Sequence, residues 1–229
     1  MSGKGSGNTF DLLEKGLEEL KLPQKFFPRE SRSAALDLLK KYIQEIELFN
    51  EAYGLVKVKD RDEIIIKHIL DSLAPLELLE KNELLNLKIK IADVGSGAGL
   101  PGIPLAICLP DTQFTLIERM GRRAGFLRNC AAILGLDNVK TEEIEMEKAG
   151  SAEFDIAVFR AFRPLTPEIL RGLLRLLKPD GILAAWKGRL ENAREEMLEA
   201  EKTAAIRWRI VPVKVPFLEE ERHLTIIGS

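Results

Sequence analysis

The sequence predicts an α/β protein in which a doubly wound, largely parallel sheet follows a small helical region. Two observations support this prediction. From residue 89 onward, short apolar segments alternate with segments of helical periodicity, and the first apolar segment ends in a run of glycines. Before that point, apolar residues follow helical spacing only. We therefore divide the chain into a flexible leader (residues 1–8), an N-terminal helical region (9–86) and an α/β domain (87–229).

The helical region carries four segments with apolar residues at helical spacing. The predicted helices cover residues 10–20, 31–51, 62–73 and 75–83. Pro23 and Pro28 interrupt the chain after the first helix, and Gly54 ends the second. The leader lacks an apolar core, and no apolar run approaches the ~18 residues of a membrane span. We therefore expect neither a signal peptide nor a membrane partner.

In the α/β domain, strands and helices follow each other in order up to a closing hairpin. The predicted strands cover residues 89–94, 114–117, 139–142, 154–159, 182–186, 208–215 and 222–227. The predicted helices cover residues 101–109, 121–134, 167–177 and 191–205. Such alternation produces parallel strands with helices on both faces of the sheet. The last two strands have no helix between them, so we expect them to form a hairpin.

Charge and the reactive residue types exclude several classes of protein. The net charge of −2 argues against coating nucleic acid through overall charge, so an RNA partner needs a local basic patch. Arginines do cluster, either as such a patch or as solvated helix faces. They are Arg119, Arg122, Arg123 and Arg128, then Arg160, Arg163, Arg171 and Arg175.

Cys108 and Cys130 lack Cys-x-x-Cys spacing, which predicts two buried, reduced thiols in a cytoplasmic protein. His68 and His223 lie far apart in sequence, so we expect no metal site.

The first strand of the α/β domain ends in residues 93–99, Asp-Val-Gly-Ser-Gly-Ala-Gly. In doubly wound folds, ligands bind beyond the carboxyl ends of the strands, and glycines there let the backbone approach a ligand closely. Residues 97–102 also match Gly-x-Gly-x-x-Gly, the pattern of a nicotinamide dinucleotide site. A glycine turn with a purely structural role is the third possibility. The residues that flank the glycines therefore decide between a methyltransferase site, a dinucleotide site and a structural turn.

Those flanking residues favour S-adenosylmethionine. Asp93 precedes the glycines, as an acidic residue does in methyltransferases, where it lies near the methionine part or its water network. Pro101 and Pro104 remove amide donors that a pyrophosphate would need, and S-adenosylmethionine has no phosphate. Glu118 ends the second strand and suits the ribose hydroxyls of either ligand. With the closing hairpin, these features predict the Rossmann-like fold of class I S-adenosylmethionine-dependent methyltransferases. The predicted cofactor-binding residues are Asp93, Gly95, Gly97, Gly99 and Glu118.

The segment after the fourth strand, residues 159–164, faces the methyl group in this fold and here contains no base. It has no Asn/Asp-Pro-Pro-Tyr motif, which methylation of an amino group uses, and no His or carboxylate that could deprotonate a hydroxyl group. No Cys follows strand four or five, so a nucleophile for methylation of cytosine C5 is also absent. Guanine N7 has a free lone pair and needs none of these groups. We therefore expect the pH profile of the methylation rate to show no acid limb from an essential carboxylate or His between about pH 6 and 9. Arg160 and Lys187 are the candidate catalytic residues, holding phosphate or the guanine O6 edge, unless they form only structural ion pairs.

Residues 93–107 resemble the signature of the bacterial 16S ribosomal RNA guanine-N7 methyltransferase family, also called glucose-inhibited division protein B. Shorter matches follow the family's order, and the resemblance covers residue 35 to the end. These matches are residues 68–73 (H-x-x-D-S-L), 122–127 (K-R-x-x-F-L), 160–161 (R-A), 186–188 (K-G) and 222–224. The resemblance implies cofactor contacts at Gly95, Leu100 and Arg160, and adenine contacts at Met146 and Glu147.

Two positions depart from the family pattern. Glu145 stands where the family usually has Arg, and Gly54 stands at the second Asn of its Trp-Asn-x-x-x-Asn-Leu-Thr sequence. Asn50 is the first Asn of that sequence, and its loop is a candidate RNA or acceptor contact. The candidate RNA-binding residues are Arg122, Arg123, Arg163, Asn50 and His68.

The resemblance implies methyl transfer to N7 of a guanine in 16S ribosomal RNA, with the RNA or the small ribosomal subunit as partner. Two alternatives stay open: a methyltransferase for a small molecule or protein, and a non-catalytic, cofactor-binding ribosome-assembly factor. An RNA substrate predicts a basic face spanning the N-terminal helices and the arginines at positions 119, 122, 123 and 163, whereas an acidic rim would favour the first alternative. We expect a cytoplasmic monomer.

Overall fold

The computed structural model describes residues 10–27, 32–81 and 89–228, so the predicted leader and the end of the predicted helix 75–83 lie outside the described residues. The strands are β1 Lys90–Val94, β2 Gln113–Ile117, β3 Val139–Glu142, β4 Phe154–Arg160, β5 Leu177–Lys187, β6 Arg207–Val213 and β7 Arg222–Gly228. The α-helices are α1 Asp11–Glu19, α2 Arg32–Tyr53, α3 Arg61–Ile64, α4 Asp71–Leu73, α5 Leu76–Lys81, α6 Gly102–Cys108, α7 Gly121–Leu134, α8 Pro167–Leu176 and α9 Leu190–Glu201.

The strands form one sheet in the order β3-β2-β1-β4-β5-β7-β6. Strands β1 to β5 pair in parallel, and β7 pairs antiparallel with both β5 and β6. The order reverses beside β1, so the loops after β1 and β4 open a crevice at the carboxyl edge of the sheet. The predicted doubly wound sheet with a closing hairpin is therefore confirmed.

Residues 61–73 do not form the single regular α-helix that their periodicity predicts. A wide π-helical segment, Ile65–Leu70, lies between α3 and α4. The Lys67 carbonyl in this segment accepts a 3.0 Å hydrogen bond from Arg160 Nη1, so a tertiary contact accompanies the local irregularity. Segments of this kind are rare and often occur at functional sites.

Strand β5 begins at Leu177, five residues before the predicted start at residue 182, and the preceding helix ends at Leu176, one residue before its predicted end. Leu177 pairs with Phe154 on β4, after which the register shifts at an irregularity. The irregular part contains Pro179 and Asp180, whose φ is +65°. Proline cannot donate a ladder hydrogen bond and is tolerated at such interruptions. Pro179 and Asp180 therefore form a break inside strand β5.

One buried apolar cluster joins the N-terminal helices to the sheet. It includes Leu39, Tyr42 and Ile46 of α2 together with Ile103 and Phe126 of the α/β domain. The buried Tyr42 hydroxyl also donates a 2.6 Å hydrogen bond to the Ala98 carbonyl in the glycine loop. The helical region therefore packs directly against the predicted cofactor loop, while α8 and α9 cover a second cluster.

Both cysteines are buried in helices, as predicted, and burial raises the pKa of the Cys108 thiol to about 12. Across the described residues, no helix is long and apolar enough to cross a membrane. In the same part of the chain, no three His, Cys, Asp or Glu side chains come together as metal ligands would.

Candidate active site

The glycine loop follows β1 and adopts a backbone that only glycine adopts easily. Gly95, Gly97 and Gly99 have φ values of +70°, +59° and +89°. The amides of Gly95 and Ser96 both donate to the Ile117 carbonyl at the end of β2, at 2.9 and 3.2 Å. A side chain at Gly97 would meet no atom closer than 3.8 Å, so the space beside it is open. The loop is thus fixed by β2 and presents bare backbone to that space.

A cavity of about 370 Å³ lies beside this loop, and we call it the glycine-loop cavity. Its lining includes three predicted cofactor residues, Gly95, Glu118 and Met146, and two predicted RNA contacts, Arg123 and Arg163. The other lining residues are Ile117, Arg119, Met120, Ile144, Glu145, Ala161 and Phe162. The remaining predicted cofactor residues, Asp93, Gly97, Gly99, Leu100, Glu147 and Arg160, do not line it.

Asp93 is fully buried at the end of β1 and supports the loop from behind. Its Oδ2 accepts a 2.9 Å hydrogen bond from the Gly102 amide, while its Oδ1 has no hydrogen-bond partner. A Cβ at Gly102 would lie 2.6 Å from Asp93 Oδ2, so glycine is required at that position. Burial raises the pKa of Asp93 to about 7, against the hydrogen bonds that favour its ionised form. Asp93 thus carries one buried carboxylate oxygen that has no hydrogen-bond partner among the described residues.

Glu118 directly follows β2 and is held by two backbone amides. Its Oε2 accepts from Gly97 at 2.9 Å and its Oε1 accepts from Met120 at 2.8 Å, and the residue is 5% exposed. Each carboxylate oxygen retains a second lone pair for a ligand. The side chain is therefore pre-positioned to accept hydrogen bonds from a diol in the glycine-loop cavity.

A second cavity, of about 660 Å³, lies across the segment 161–163, and we call it the Arg160 cavity. It collects side chains from β4, β5, β7 and the π-helical segment, so the N-terminal region forms part of it. Its lining residues are Lys67, His68, Asp71, Arg160, Ala161, Phe162, Arg163, Pro164, Trp186, Lys187, Gly188, Glu196 and Arg222.

Asp71 is the centre of a charge network in the Arg160 cavity. Its Oδ2 lies 2.9 Å from Arg160 Nη1 and its Oδ1 lies 3.0 Å from Arg222 Nε. Arg160 Nη2 also lies 2.9 Å from His68 Nδ1. A guanidinium only donates hydrogen bonds, so Nδ1 accepts and the neutral His68 carries its proton on Nε2. Burial first, and then Arg160, lower the pKa of His68 to about 3. His68 is therefore a fixed, uncharged partner of Arg160.

Lys187 ends β5 and forms an ion pair with Glu196 of α9. Its Nζ also lies 5.5 Å from the centroid of the Phe159 ring. The ion-pair interpretation of Arg160 and Lys187 is thus realised for both residues. The same cavity nevertheless carries a net positive charge, because five cations line it against the two carboxylates Asp71 and Glu196.

Of the predicted RNA contacts, Arg163 lines both cavities and His68 lines the Arg160 cavity. Arg122 is exposed on α7, Arg123 faces the glycine-loop cavity, and Arg163 pairs with Glu147 at 3.0 Å. Asn50 lines neither cavity, and its Oδ1 accepts a 2.8 Å hydrogen bond from the Val56 amide. Asn50 thus helps to close the turn after α2, and its role as an RNA or acceptor contact stays a prediction.

The departure from the family pattern at Gly54 has a physical explanation. Gly54 follows α2 with a φ of +57°, and its amide donates to the Asn50 carbonyl at 2.8 Å. Glycine and asparagine are the two residues that most readily take this left-handed position at a helix end. The exchange therefore preserves the turn.

Sequence reasoning assigned no role to Asp71, Arg222 or Phe162. Asp71 and Arg222 lie 151 residues apart and meet only in the folded chain. Asp71 lies inside the matched segment 68–73 and Arg222 inside 222–224. The motifs therefore contain both residues, but they do not show that the two side chains form an ion pair. Phe162 follows β4 directly, which was its only signal.

The sheet order, the glycine loop and the acidic residues ending β1 and β2 define a class I S-adenosylmethionine-dependent methyltransferase. The fold is similar to a crystal structure of a SAM-dependent methyltransferase from Aquifex aeolicus. That similarity has a TM-score of 0.55 at 23% identity and covers 69% of this chain and 91% of the other.

The family follows from the sequence comparisons. The model for GidB, rRNA small subunit methyltransferase G, matches residues 35–225. A ribosomal RNA small subunit methyltransferase G from Treponema denticola is 39% identical, covering 94% of this chain and 93% of the relative. One from Treponema pallidum (strain Nichols) is 38% identical, covering 84% of each. The chain belongs to this family, which confirms the resemblance, and its cofactor is S-adenosylmethionine.

The residues present fit this cofactor. Glu118 would hold the ribose, Met146 would contact the adenine, and the unpartnered oxygen of Asp93 suits the methionine end. When bound, S-adenosylmethionine supplies an electrophilic methyl group on a sulfonium.

Glu118→Ala should weaken cofactor binding by roughly 2–3 kcal/mol, because charge-assisted hydrogen bonds to the ribose are lost. The Gly97 amide also loses its acceptor, which adds to the effect through the loop. Calorimetric titration of S-adenosylmethionine measures the loss. Glu145→Ala is the matched control, since Glu145 lines the same cavity but is exposed. An unchanged dissociation constant for Glu118→Ala would mean that Glu118 does not contact the ribose.

Cofactor affinity should depend on pH through Asp93. In the free protein this carboxyl gains a proton as the pH falls through about 7, and a cationic ligand binds better to the ionised form. Below that pH, the affinity should therefore fall by up to roughly tenfold per pH unit. The methylation rate without an acid limb, which the sequence predicts, then applies only to enzyme saturated with cofactor.

Asp93→Asn provides the control, because an amide can keep the Gly102 hydrogen bond without titrating. The variant should bind the cofactor with little pH dependence. The free wild-type protein should in turn lose stability as the pH rises through about 7, since the folded pKa of Asp93 lies above its ordinary value. The same pH dependence of cofactor affinity in the wild type and in Asp93→Asn would contradict this role of Asp93.

Proposed function

We propose that the protein transfers a methyl group from S-adenosylmethionine to N7 of a guanine in 16S ribosomal RNA. One observation supports this acceptor most strongly: no side chain of the Arg160 cavity is available as a base. Asp71 is shared by two arginines, Glu196 is paired with Lys187, and the Nδ1 of neutral His68 accepts from Arg160. An acceptor with a free lone pair and no proton to lose fits such a site.

Arg160 and Lys187 are the proposed catalytic residues, and they act by orienting the acceptor. Hydrogen bonds to Asp71, Lys67 and His68 fix the guanidinium of Arg160 but leave some of its five N–H donors for a phosphate or guanine O6. Lys187 supplies a point charge for a phosphate while its ammonium group keeps the ion pair with Glu196. Arg160 lines the second cavity only, so its proposed cofactor contact requires the cofactor to reach across segment 161–163.

The proposed RNA surface combines the net positive Arg160 cavity with Arg122, Arg123 and Arg163. The rim of this region is not uniformly acidic, which favours RNA over the alternatives of a small molecule or protein. We propose 16S ribosomal RNA or the small ribosomal subunit as partner, in the cytoplasm, and a monomeric enzyme. The helical region (9–86) and the methyltransferase domain (87–229) would act as one unit, because Lys67, His68 and Asp71 belong to the first and complete the cavity of the second.

Transfer of labelled methyl groups tests this proposal. The protein is incubated with labelled S-adenosylmethionine and with small ribosomal subunits, naked 16S RNA, a protein fraction or a small-molecule fraction. We expect label in 16S RNA from at least one of the two RNA samples. Label confined to protein or small molecules would contradict the RNA substrate, and cofactor binding without transfer to any sample would indicate a non-catalytic factor.

A further inference from the structure

The segment 161–163 is the wall between the two cavities. Ala161, Phe162 and Arg163 line both of them. The methyl carbon must come within about 3–3.5 Å of the acceptor atom before transfer, so the reacting atoms have to meet at this wall. Of its three residues, Phe162 places an aromatic ring at the junction.

The Phe162 ring lies against the backbone of the cofactor loop. A Cβ at Gly95 would fall 2.2 Å from Phe162 Cδ2 and 2.6 Å from Cε2. The Arg163 guanidinium stacks over the ring, 4.6 Å from its centroid, and pairs with Glu147 at 3.0 Å. One face of the ring thus already binds a cation, and that cation is an exposed side chain that can leave.

Charge makes this ring important for the proposed reaction. When the purine accepts the methyl group through its N7 lone pair, the carbon–sulfur bond breaks and the positive charge passes from sulfur to the purine, with no proton transferred. The Arg160 cavity opposes this charge, because its five cations outnumber its two carboxylates. An aromatic face attracts a cation through its quadrupole and thereby offsets part of that repulsion.

Two aromatic side chains line the Arg160 cavity within the described part of the chain, Phe162 and Trp186. Trp186 is 6% exposed, and its Nε1 donates to the Asp71 carbonyl at 3.0 Å, so it serves as a fixed part of the wall. Phe162 is half-buried and offers ring surface to a ligand.

We propose that Phe162 is a catalytic residue whose ring lies on the target guanine and stabilises the positive charge that forms on it. Arg163 gives up the ring face to the purine and moves from Glu147 to an RNA phosphate. This inference rests on the proposed guanine-N7 reaction. It also requires an unstacked guanine, since an A-form helix hides N7 in its narrow major groove.

Replacing Phe162 with phenylalanines carrying one, two or three ring fluorines tests the charge effect, because fluorine withdraws electrons from the face at nearly constant shape. Single-turnover rates are measured at saturating cofactor and RNA. We expect the rate to fall with each fluorine, and Phe162→Leu to lose roughly 3- to 30-fold while Phe162→Trp retains most of the rate. Phe217→Leu is the control, since Phe217 is 43% exposed and lines neither cavity. Equal rates across the fluorine series would overturn the proposal, as would wild-type activity of Phe162→Leu.

A binding measurement gives a second readout that needs no turnover. The affinities for 7-methylguanosine monophosphate and for guanosine monophosphate are compared in wild-type protein and Phe162→Leu, each saturated with S-adenosylhomocysteine. Phe162→Leu should weaken binding of the cationic 7-methylguanosine monophosphate more than binding of guanosine monophosphate. An equal ratio of the two affinities in both proteins would contradict the role of the ring. If the wild type methylates no guanine at all, the proposed function fails. If the wild type methylates guanine and the fluorinated variants react at the same rate, only the role of Phe162 fails.

Discussion

Lys187→Ala should bind S-adenosylmethionine with wild-type affinity but lose methyl transfer to RNA by roughly 10- to 100-fold, as expected for one lost charge-assisted contact. Lys187 lines the Arg160 cavity and not the glycine-loop cavity, so the cofactor does not depend on it. Calorimetry for the cofactor and single-turnover transfer to small ribosomal subunits separate the two effects.

Glu196→Gln is the matched control for Lys187, because it removes the other partner of the same ion pair. If the pair served only to stabilise the fold, both variants would lose the same stability and the same activity. In our account Glu196→Gln frees Lys187 for phosphate and keeps transfer at or above the wild-type rate. Matching losses in the two variants, or wild-type transfer by Lys187→Ala, would return Lys187 to a structural role.

Arg160→Ala should instead harm cofactor binding and transfer together. Arg160 ends β4 at the wall between the cavities, and its removal leaves Asp71 with only Arg222 from its pair of arginines. Breaking a buried ion pair costs about 3–5 kcal/mol, so the unfolding midpoint must be measured first. Arg160→Lys keeps the charge without the fork of donors, and it should fold better than Arg160→Ala while transferring poorly.

Gly97→Val should abolish S-adenosylmethionine binding. The space beside Gly97 is open, and a branched side chain there would occupy the room into which a ligand must approach the loop. The residue also has a φ of +59°, where a β-branched side chain is strained. Calorimetric titration should detect no binding by the variant.

Gly97→Ala separates strain from blockage. Alanine shares the cost of the left-handed backbone, roughly 1–2 kcal/mol, but projects only one methyl group. It should therefore bind the cofactor weakly, while Gly97→Val does not bind it at all. Similar affinity in both variants would mean that the side chain does not enter the cofactor space. Binding of NAD by the wild type in preference to S-adenosylmethionine would contradict the identity of the cofactor.

The features that local sequence carries were predictable. The glycine run after β1 and the alternation of strands and helices gave the class of fold, and the absence of a base after β4 narrowed the chemistry. Contacts between distant residues were not predictable in this way. Asp71 joins Arg160 and Arg222 only after folding, and the π-helical turn that accompanies this contact breaks a periodicity that reads as a regular helix.

The hydrogen-bond partners of individual polar residues were not predictable either. The motif predicts His68 as an RNA contact, which stays a prediction; in the fold His68 lines the Arg160 cavity and accepts a hydrogen bond from Arg160 as a neutral side chain. Asn50 closes a turn. In both cases the side chain satisfies a neighbouring donor of the fold, and no local pattern shows whether a polar group faces solvent or the protein.

Mapping the methylated nucleotide tests the central claim most directly. Small ribosomal subunits from cells lacking the endogenous activity are methylated by the protein, and the 16S RNA is then reduced and treated with aniline, which cleaves the chain at N7-methylguanine. We predict a new cleavage at one guanine, absent without S-adenosylmethionine and absent with Gly97→Val. Methyl incorporation into 16S RNA without such a cleavage, or at an adenine, a cytosine or a ribose, would contradict the account.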